Sequence, residues 1–294
     1  MTSSGQQADE PIQSERIADA PRAALTNPRF ELMPFDSIEE QVSHLPDGAT
    51  ITITASPTLG LEDTITWTET LANEGYEIVP HVAARYVRDE EHLAAVCERL
   101  VDVGVTDIFV PGGDREEPIG EFDSAYQLLT ALDDLEYEFE EVGITGYPEG
   151  HAFLSEATLA EAMEKKAPYA TYLTTQICYD PDAILDWAEG VRSRGIDLPI
   201  EVGIPGVMKY QRLIGISRKV GVGDSVRFLQ KTTGILDFVK QFFGSRGKYT
   251  PDTLVNELAP YVVDPEHSIR GLHIYTFNQV PDTEAWRTIR LEDR

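Results

Sequence analysis

Along this chain, short apolar runs rich in β-branched residues alternate with longer stretches whose apolar positions recur at helical spacing. The short runs predict strands at Phe30–Met33, Thr50–Thr54, Glu77–Pro80, Asp107–Val110, Glu141–Thr145, Thr171–Thr174, Ile200–Gly203 and Gly271–Tyr275. The intervening stretches predict amphipathic helices. In Glu90–Val101, for example, Leu93, Val96, Cys97 and Leu100 fall at i, i+3, i+4 and i+7 and share one face. Eight strands joined by helical crossovers predict a parallel (β/α)₈ barrel, because a doubly wound sheet usually has about five to seven strands. Residues 208–261 read as helical throughout, with breaks at Gly221–Gly223, Gly244–Gly247 and Pro251. That is an elaborated region before the last strand. Residues 1–26 are polar and aperiodic and predict a disordered or loosely docked tail, leaving 27–294 as one barrel domain.

Composition narrows the class. At 294 residues and 41% apolar, the chain can bury the core of one large α/β barrel. No apolar run approaches the ~20 residues a membrane span needs, and no basic-then-apolar leader is visible, so a cytoplasmic protein without a membrane partner is expected. Cys97 and Cys178 lie in apolar periodic segments and read as buried reduced thiols. The charge is unusual: 51 acidic residues against 24 basic ones, of which seven are lysines, give −27. A surface so acidic disfavours nucleic acid, which selects a basic footprint. Its acids are spread over nearly every polar face, so self-repulsion that concentrated salt would screen points to a halophilic setting.

In a parallel barrel the chemistry sits where the strands end. Those ends read, in order, Glu31 in strand one, Thr54, Pro80-His81, Gly112-Gly113-Asp114, Gly146-Tyr147-Pro148-Glu149-Gly150-His151, Thr175-Gln176 ahead of Tyr179-Asp180, Pro205-Gly206-Val207, and His273-Ile274-Tyr275-Thr276-Phe277-Asn278. Each element alone has an ordinary structural explanation. Polar groups converging on one mouth from most of the strands are not required by packing, and they mark it as a site.

In this order and spacing the chain resembles the methylenetetrahydrofolate reductases, from about Phe30 to Asn278. The carrying motifs are Phe30-Glu31-Leu32-Met33-Pro34, Pro80-His81, Gly113-Asp114, Tyr147-Pro148-Glu149-Gly150-His151, Thr175-Gln176 and His273-Ile274-Tyr275-Thr276-Phe277-Asn278. The resemblance implies a barrel enzyme of one-carbon metabolism and methionine biosynthesis that reduces 5,10-methylenetetrahydrofolate to 5-methyltetrahydrofolate. It implies FAD as cofactor and NADH or NADPH as hydride source. Its partners would be a small-molecule folate and, for assembly, further copies of the chain. Glu31 would be the general acid, supplying a proton to folate N10 from a setting that raises its pKa. Asp114 would be catalytic as well, contacting both the pterin and the flavin ring. Gln176 would pair with the pterin amide edge, and Thr54 would line the same pocket. His81, Gly113, Asp114, Tyr147, His151 and Lys165 would contact the cofactor. No metal is implied.

The departures fall on the flavin side. Where the family has an arginine against the flavin pyrophosphate, this chain has Gly112. Where the family has Asp, Asn and Arg on the following helix, it has Thr158, Glu161 and Glu164; only Lys165 remains, and Gln279 replaces an arginine near the folate. A carboxylate beside a pyrophosphate repels where a guanidinium would bind it in two-pronged fashion. The alternative expectation is therefore a flavin-independent reductase, or a folate-dependent methyl-transfer or demethylation enzyme, on the same barrel. A metal-dependent hydrolase built on His81, His151, Asp114 and His273 is a weaker rival, since strand one lacks a His-x-His pair. A non-catalytic folate binder would have no use for Glu31 as a proton donor.

Overall fold

The computed structural model describes residues 19–55, 58–137, 139–220 and 247–292. Eight parallel strands form the barrel: β1 (Arg29–Leu32), β2 (Thr50–Ile53), β3 (Glu77–Pro80), β4 (Asp107–Phe109), β5 (Glu141–Gly146), β6 (Tyr172–Thr175), β7 (Ile200–Pro205) and β10 (Ile269–Tyr275). Their order is β3-β2-β1-β10-β7-β6-β5-β4. A parallel bridge between His81 and Phe109 brings β3 to β4 and nearly closes the ring, with the Val82 N–H donating to the Phe109 carbonyl at 2.8 Å. This is the predicted (β/α)₈ fold, with each strand within about two residues of its expected bounds.

Alternation on the strands separates two cores. In β1, Phe30 and Leu32 are buried in the apolar layer between sheet and helices. Arg29 and Glu31 point the other way, Arg29 reaching Asp107 across the barrel and Glu31 meeting His273 of the adjacent β10. At the N-terminal end of the barrel the interior is ionic. Arg29 reaches Asp107 at 2.8 Å and Glu141 at 3.2 Å, while Arg270 grips both oxygens of Glu141 at 2.7 Å and Glu201 at 2.7 Å. Both guanidinium groups stack on the Tyr172 ring, 4.5 and 4.3 Å from its centroid. Gly143 makes room for that ring, since a Cβ there would lie 2.3 Å from Tyr172 Cζ.

Two expectations need correction. The ordered barrel begins before residue 27. A short helix, α1 (Ala20–Ala24), buries Ala20 and Ala24, followed by buried Leu25, and Arg287 donates to the Leu25 carbonyl at 2.8 Å. Apolar spacing over so few residues is too brief to show as a period. Residues 1–18 lie outside the described residues. The stretch 208–261 is also not helical throughout. An antiparallel pair, β8 (Met208–Lys209) with β9 (Lys248–Tyr249), brackets a helix, α8 (Tyr210–Val220), and α9 (Asp252–Val262) follows. The pair buries Met208 and Tyr249 in a small cluster with Ile177, Tyr179, Tyr210, Leu213 and Ile214. Two-residue strands leave no alternation to read, and the tertiary cluster decides their conformation. The expected breaks at 221–223 and 244–247 fall outside the described residues, Gly247 excepted. Cys97 and Cys178 are both buried.

Candidate active site

Glu31 lies in β1 beside Thr52 of β2 and Tyr275 of β10, so its side chain projects into the barrel just below the C-terminal mouth. His273 Nε2 stands 3.1 Å from Glu31 Oε2, and His81 Nε2 is 3.8 Å from the same oxygen. Burial pushes the Glu31 carboxyl up to about 7, with His81 pulling weakly the other way. Burial also drives both histidines toward the neutral form. His81 falls to about 4, although Glu31 draws it upward, and His273 falls to about 3. At neutral pH the carboxyl therefore stands between two uncharged imidazoles and is poised to hold or release a proton. Thr52 Oγ1, His81 Nε2 and His273 Nδ1 are buried without a hydrogen-bond partner among the described residues. Buried polar atoms rarely remain unsatisfied, so this layer offers places for water or ligand.

The exits of β1 and β10 are locked together around Glu31. Thr276 Oγ1 donates to the Glu31 carbonyl. Asn278 Oδ1 accepts from Met33 N at 2.8 Å, and its Nδ2 donates to the Met33 carbonyl at 3.0 Å. The strand-eight motif is thus partly a clamp that fixes the backbone of the acid.

The other candidates ring the mouth. Thr54 sits at the exit of β2, its N–H donating to the Leu32 carbonyl at 3.0 Å. Gln176 follows β6; its Oε1 accepts from Ile177 N at 2.9 Å, and its amide NH₂ has no partner among the described residues. Gly113, at φ 90°, turns the loop after β4 in a conformation that L side chains rarely adopt. It presents Asp114, which is exposed and accepts from the Tyr86 hydroxyl at 2.7 Å. Burial, then Asp114, raise the Tyr86 pKa. After β5, Tyr147 and His151 meet edge to face at 5.4 Å, and His151 meets Phe153 at 5.9 Å. Burial raises the Tyr147 phenol above its ordinary range.

Lys165 is not brought to this group. It lies in the last turn of α6 (Glu156–Lys166), whose Ser155-capped start is the end near the mouth. Its ammonium pairs with Glu161 at 2.7 Å, and neighbouring Glu164 faces Arg194, just before β7, at 3.4 Å. Sequence reasoning missed three groups: His273 as the partner of Glu31, Thr52 beside it, and Tyr86 behind Asp114. His273 was open to discovery, since period two along β10 places His273 and Tyr275 on the same inward face. The Tyr86–Asp114 contact joins two loops and carries no local signal.

A match to the family model described as methylenetetrahydrofolate reductase spans residues 25–286. The chain belongs to the methylenetetrahydrofolate reductase family. Among curated relatives, it is 27% identical over 163 residues to methylenetetrahydrofolate reductase 2 of Saccharomyces cerevisiae, covering 54% of this chain and 26% of that protein. It is 28% identical over 141 residues to methylenetetrahydrofolate reductase 1 of Schizosaccharomyces pombe, covering 47% and 22%. With methylenetetrahydrofolate reductase (NADH) 1 of Arabidopsis thaliana it shares 26% over 170 residues, covering 54% and 28%. The matched stretches thus span about a quarter of the length of these relatives. No helix among the described residues is long and apolar enough to cross a membrane.

Proposed function

We propose that this chain reduces 5,10-methylenetetrahydrofolate to 5-methyltetrahydrofolate, with Glu31 as the general acid and NADH or NADPH as the hydride source. The observation that carries the reading is the buried Glu31 carboxyl, pushed up to about 7 between two neutral histidines at the mouth of the barrel. Opening the five-membered ring requires a proton on N10. Protonated Glu31 gives that proton as the bond between N10 and the methylene carbon breaks, leaving an iminium at N5. Hydride addition to the methylene carbon completes the methyl group. An acid with a pKa near the operating pH is at once protonated often enough and acidic enough for the task. Gln176, with a free amide NH₂, and Asp114, held by Tyr86, then orient the pterin, and Thr54 lines the pocket.

The family resemblance brings FAD with it, and the residues present do not fit its charged half. At the position of one family arginine, Gly112 opens on empty space. At the other, Glu164 carries a carboxylate already facing Arg194, while Lys165 is engaged by Glu161. Tyr147, His151, His81 and Gly113 would suit a planar ring, but the pyrophosphate would lack its paired cations. We propose weak flavin binding or none, with hydride taken from the nicotinamide. The charge of −27 further suggests a salt-rich setting.

Turnover of methylenetetrahydrofolate with each reduced nicotinamide, and the absorption spectrum of the protein purified in high salt, test these points together. Nicotinamide-dependent formation of methyltetrahydrofolate supports the reaction, and its absence removes it. A stoichiometric flavin band would overturn the cofactor reading alone. Replacing Gly112 and Glu164 together by Arg should raise flavin affinity in calorimetry.

A further inference from the structure

Glu31 has one bonded flank and one open flank. On the β10 side, His273 Nε2 stands 3.1 Å from its Oε2. On the β2 side, two buried polar atoms of the same inward face bond to nothing among the described residues: Thr52 Oγ1 and His81 Nε2. Thr52 is in register with Glu31 on the neighbouring strand, about 4.8 Å away. It shares the inward face, because Ile51 and Ile53 on either side of it pack in the outer core with Phe30 and Leu32. His81 lies two residues past Val79, the β3 partner of Thr52, and its Nε2 is 3.8 Å from Glu31 Oε2. Neither group is loose. Thr52 is fully buried, the His81 N–H donates to the Ile53 carbonyl at 2.9 Å, and the His81 ring rests on Phe109 at 4.7 Å.

An unbonded buried polar atom costs free energy, and such atoms are rare. Ionisation of Glu31 would offset the cost. A carboxylate accepts at both oxygens, and hydrogen bonds to a charged acceptor are stronger than those to a neutral one. A small rotation of the side chain closes the 3.8 Å to hydrogen-bonding range.

We infer that Thr52 and His81 form a seat for the carboxylate that Glu31 becomes on giving up its proton, Thr52 donating through its hydroxyl and His81 through Nε2–H. This rests on the general-acid reading above. The proton leaves Glu31 for N10 of the ligand, the electron pair of the O–H bond stays on the carboxyl, and the two donors close on it. Their bonds strengthen as charge develops, so they favour the transition state over the resting acid. Thr52 and His81 are thus positioning residues that act through Glu31. The other titratable groups around the acid are His273 and Tyr275 on β10 and Arg29 on its own strand, and β2 has none.

Infrared difference titration of the intact protein against Glu31→Gln reads the protonated Glu31 carboxyl directly and needs no turnover. Its midpoint should rise by about one pH unit in Thr52→Val and in His81→Leu, a ten-fold change in the ionisation constant. Thr52→Ser and His81→Gln, which keep a donor, should return it toward the parent value. With 5,10-methylenetetrahydrofolate, the alkaline limb of kcat/KM should follow the midpoint upward. The plateau below that limb should fall by roughly three- to ten-fold, because the acid is weaker. A packing role would not move the two in opposite directions. Thr52→Val removes an unbonded hydroxyl from the resting acid form, so its Tm at about pH 5 should match or exceed that of the parent. A midpoint unmoved in both Thr52→Val and His81→Leu would overturn the seat, whatever the turnover. A midpoint that rises in a protein without turnover would support the seat and overturn the general-acid reading instead.

Discussion

The two ends of the barrel both hold carboxylates, and they give them different partners. At the N-terminal end, Asp107, Glu141 and Glu201 face two guanidinium groups and the Tyr172 hydroxyl at hydrogen-bonding distance. Hydrogen bonds from Arg270 hold Glu141 below the usual carboxylate range. Asp107, more deeply buried, is pushed up to about 6 even so, against the pull of Arg29 and Tyr172, and remains ionised at neutral pH. At the C-terminal end, Glu31 meets only imidazoles that burial keeps neutral, and it rises to about 7. Burial raises both Asp107 and Glu31, and what differs is the partner, guanidinium groups at one end and neutral imidazoles at the other. Charge-paired carboxylates tie strands together; one that faces no cation suits the proton-donor role proposed for Glu31.

The largest expected effect comes from removing the acid. Glu31→Gln keeps the shape and should retain folate binding, while single-turnover reduction falls by roughly 10²–10⁴-fold. Near-normal turnover in that variant would show that Glu31 is not the acid. Stability carries a second signature. A carboxyl whose folded pKa lies above its unfolded value stabilises the fold fully below about 4.5, and this contribution is lost as pH rises through about 7. The stability of the parent relative to Glu31→Gln, measured by denaturant unfolding, should therefore decline by about 3 kcal/mol between pH 4.5 and 7 and level off above. A flat difference would mean that the carboxyl is not perturbed.

The opposite end should respond in stability instead. Arg270→Met leaves Glu141 and Glu201 without their nearest cation, and because these pairs are only part-buried the loss should fall below the about 3–5 kcal/mol typical of breaking buried pairs. Denaturant unfolding should show that loss, while the pH dependence of turnover in the folded fraction stays in place. A shifted pH profile without loss of stability would reverse the assignment of the two ends.

This asymmetry also governs how much could be read from the sequence. The mouth was legible in outline because its groups sit at strand ends, and the resemblance to the family singled out Glu31, His81, Asp114 and Gln176 among them. The ionic end was not. Arg29 lies 78 residues from Asp107 and 241 from Arg270, and nothing local distinguishes charges at strand starts from solvated ones. Only closure of the barrel reveals them as interior. Lys165 lies in the last turn of its helix, where its ammonium pairs with Glu161.

A smaller effect tests how the neutral histidines set the acid. His273 Nε2 faces Glu31 Oε2, with His81, Tyr275 and Arg29 as the other titratable groups nearby. An N–H donated to a carboxylate favours its charged form, so His273→Leu should raise the Glu31 pKa further. On the proposed mechanism turnover needs protonated Glu31, and the alkaline limb of kcat/KM should move up by about one pH unit, equivalent to ~1.4 kcal/mol. His273→Gln, which can restore a donor, should move it back. A limb that stays put in the Leu variant would reduce His273 to packing.

The smallest effect per group is the response to salt, and it separates surface from interior. Part-buried pairs such as Arg270–Glu201 are less screened than surface ones, so added salt should change them less. The surface is different. With a net charge of −27, like charges crowd within a Debye length of ~10 Å at 0.1 M salt and ~3 Å at 1 M. Screening should then stabilise the compact state, and each kcal/mol gained corresponds to about 2–4 °C in a chain of this size. Tm should rise from dilute buffer to molar potassium chloride. Arg270→Met should rise in parallel with the parent, since its lost interaction was not screened to begin with. If the variant's deficit disappeared in salt, the ionic end would be open to solvent and the contrast between the two ends would fail. A Tm flat or falling in both proteins would instead remove the salt-adapted reading of the surface and leave the barrel interior as described.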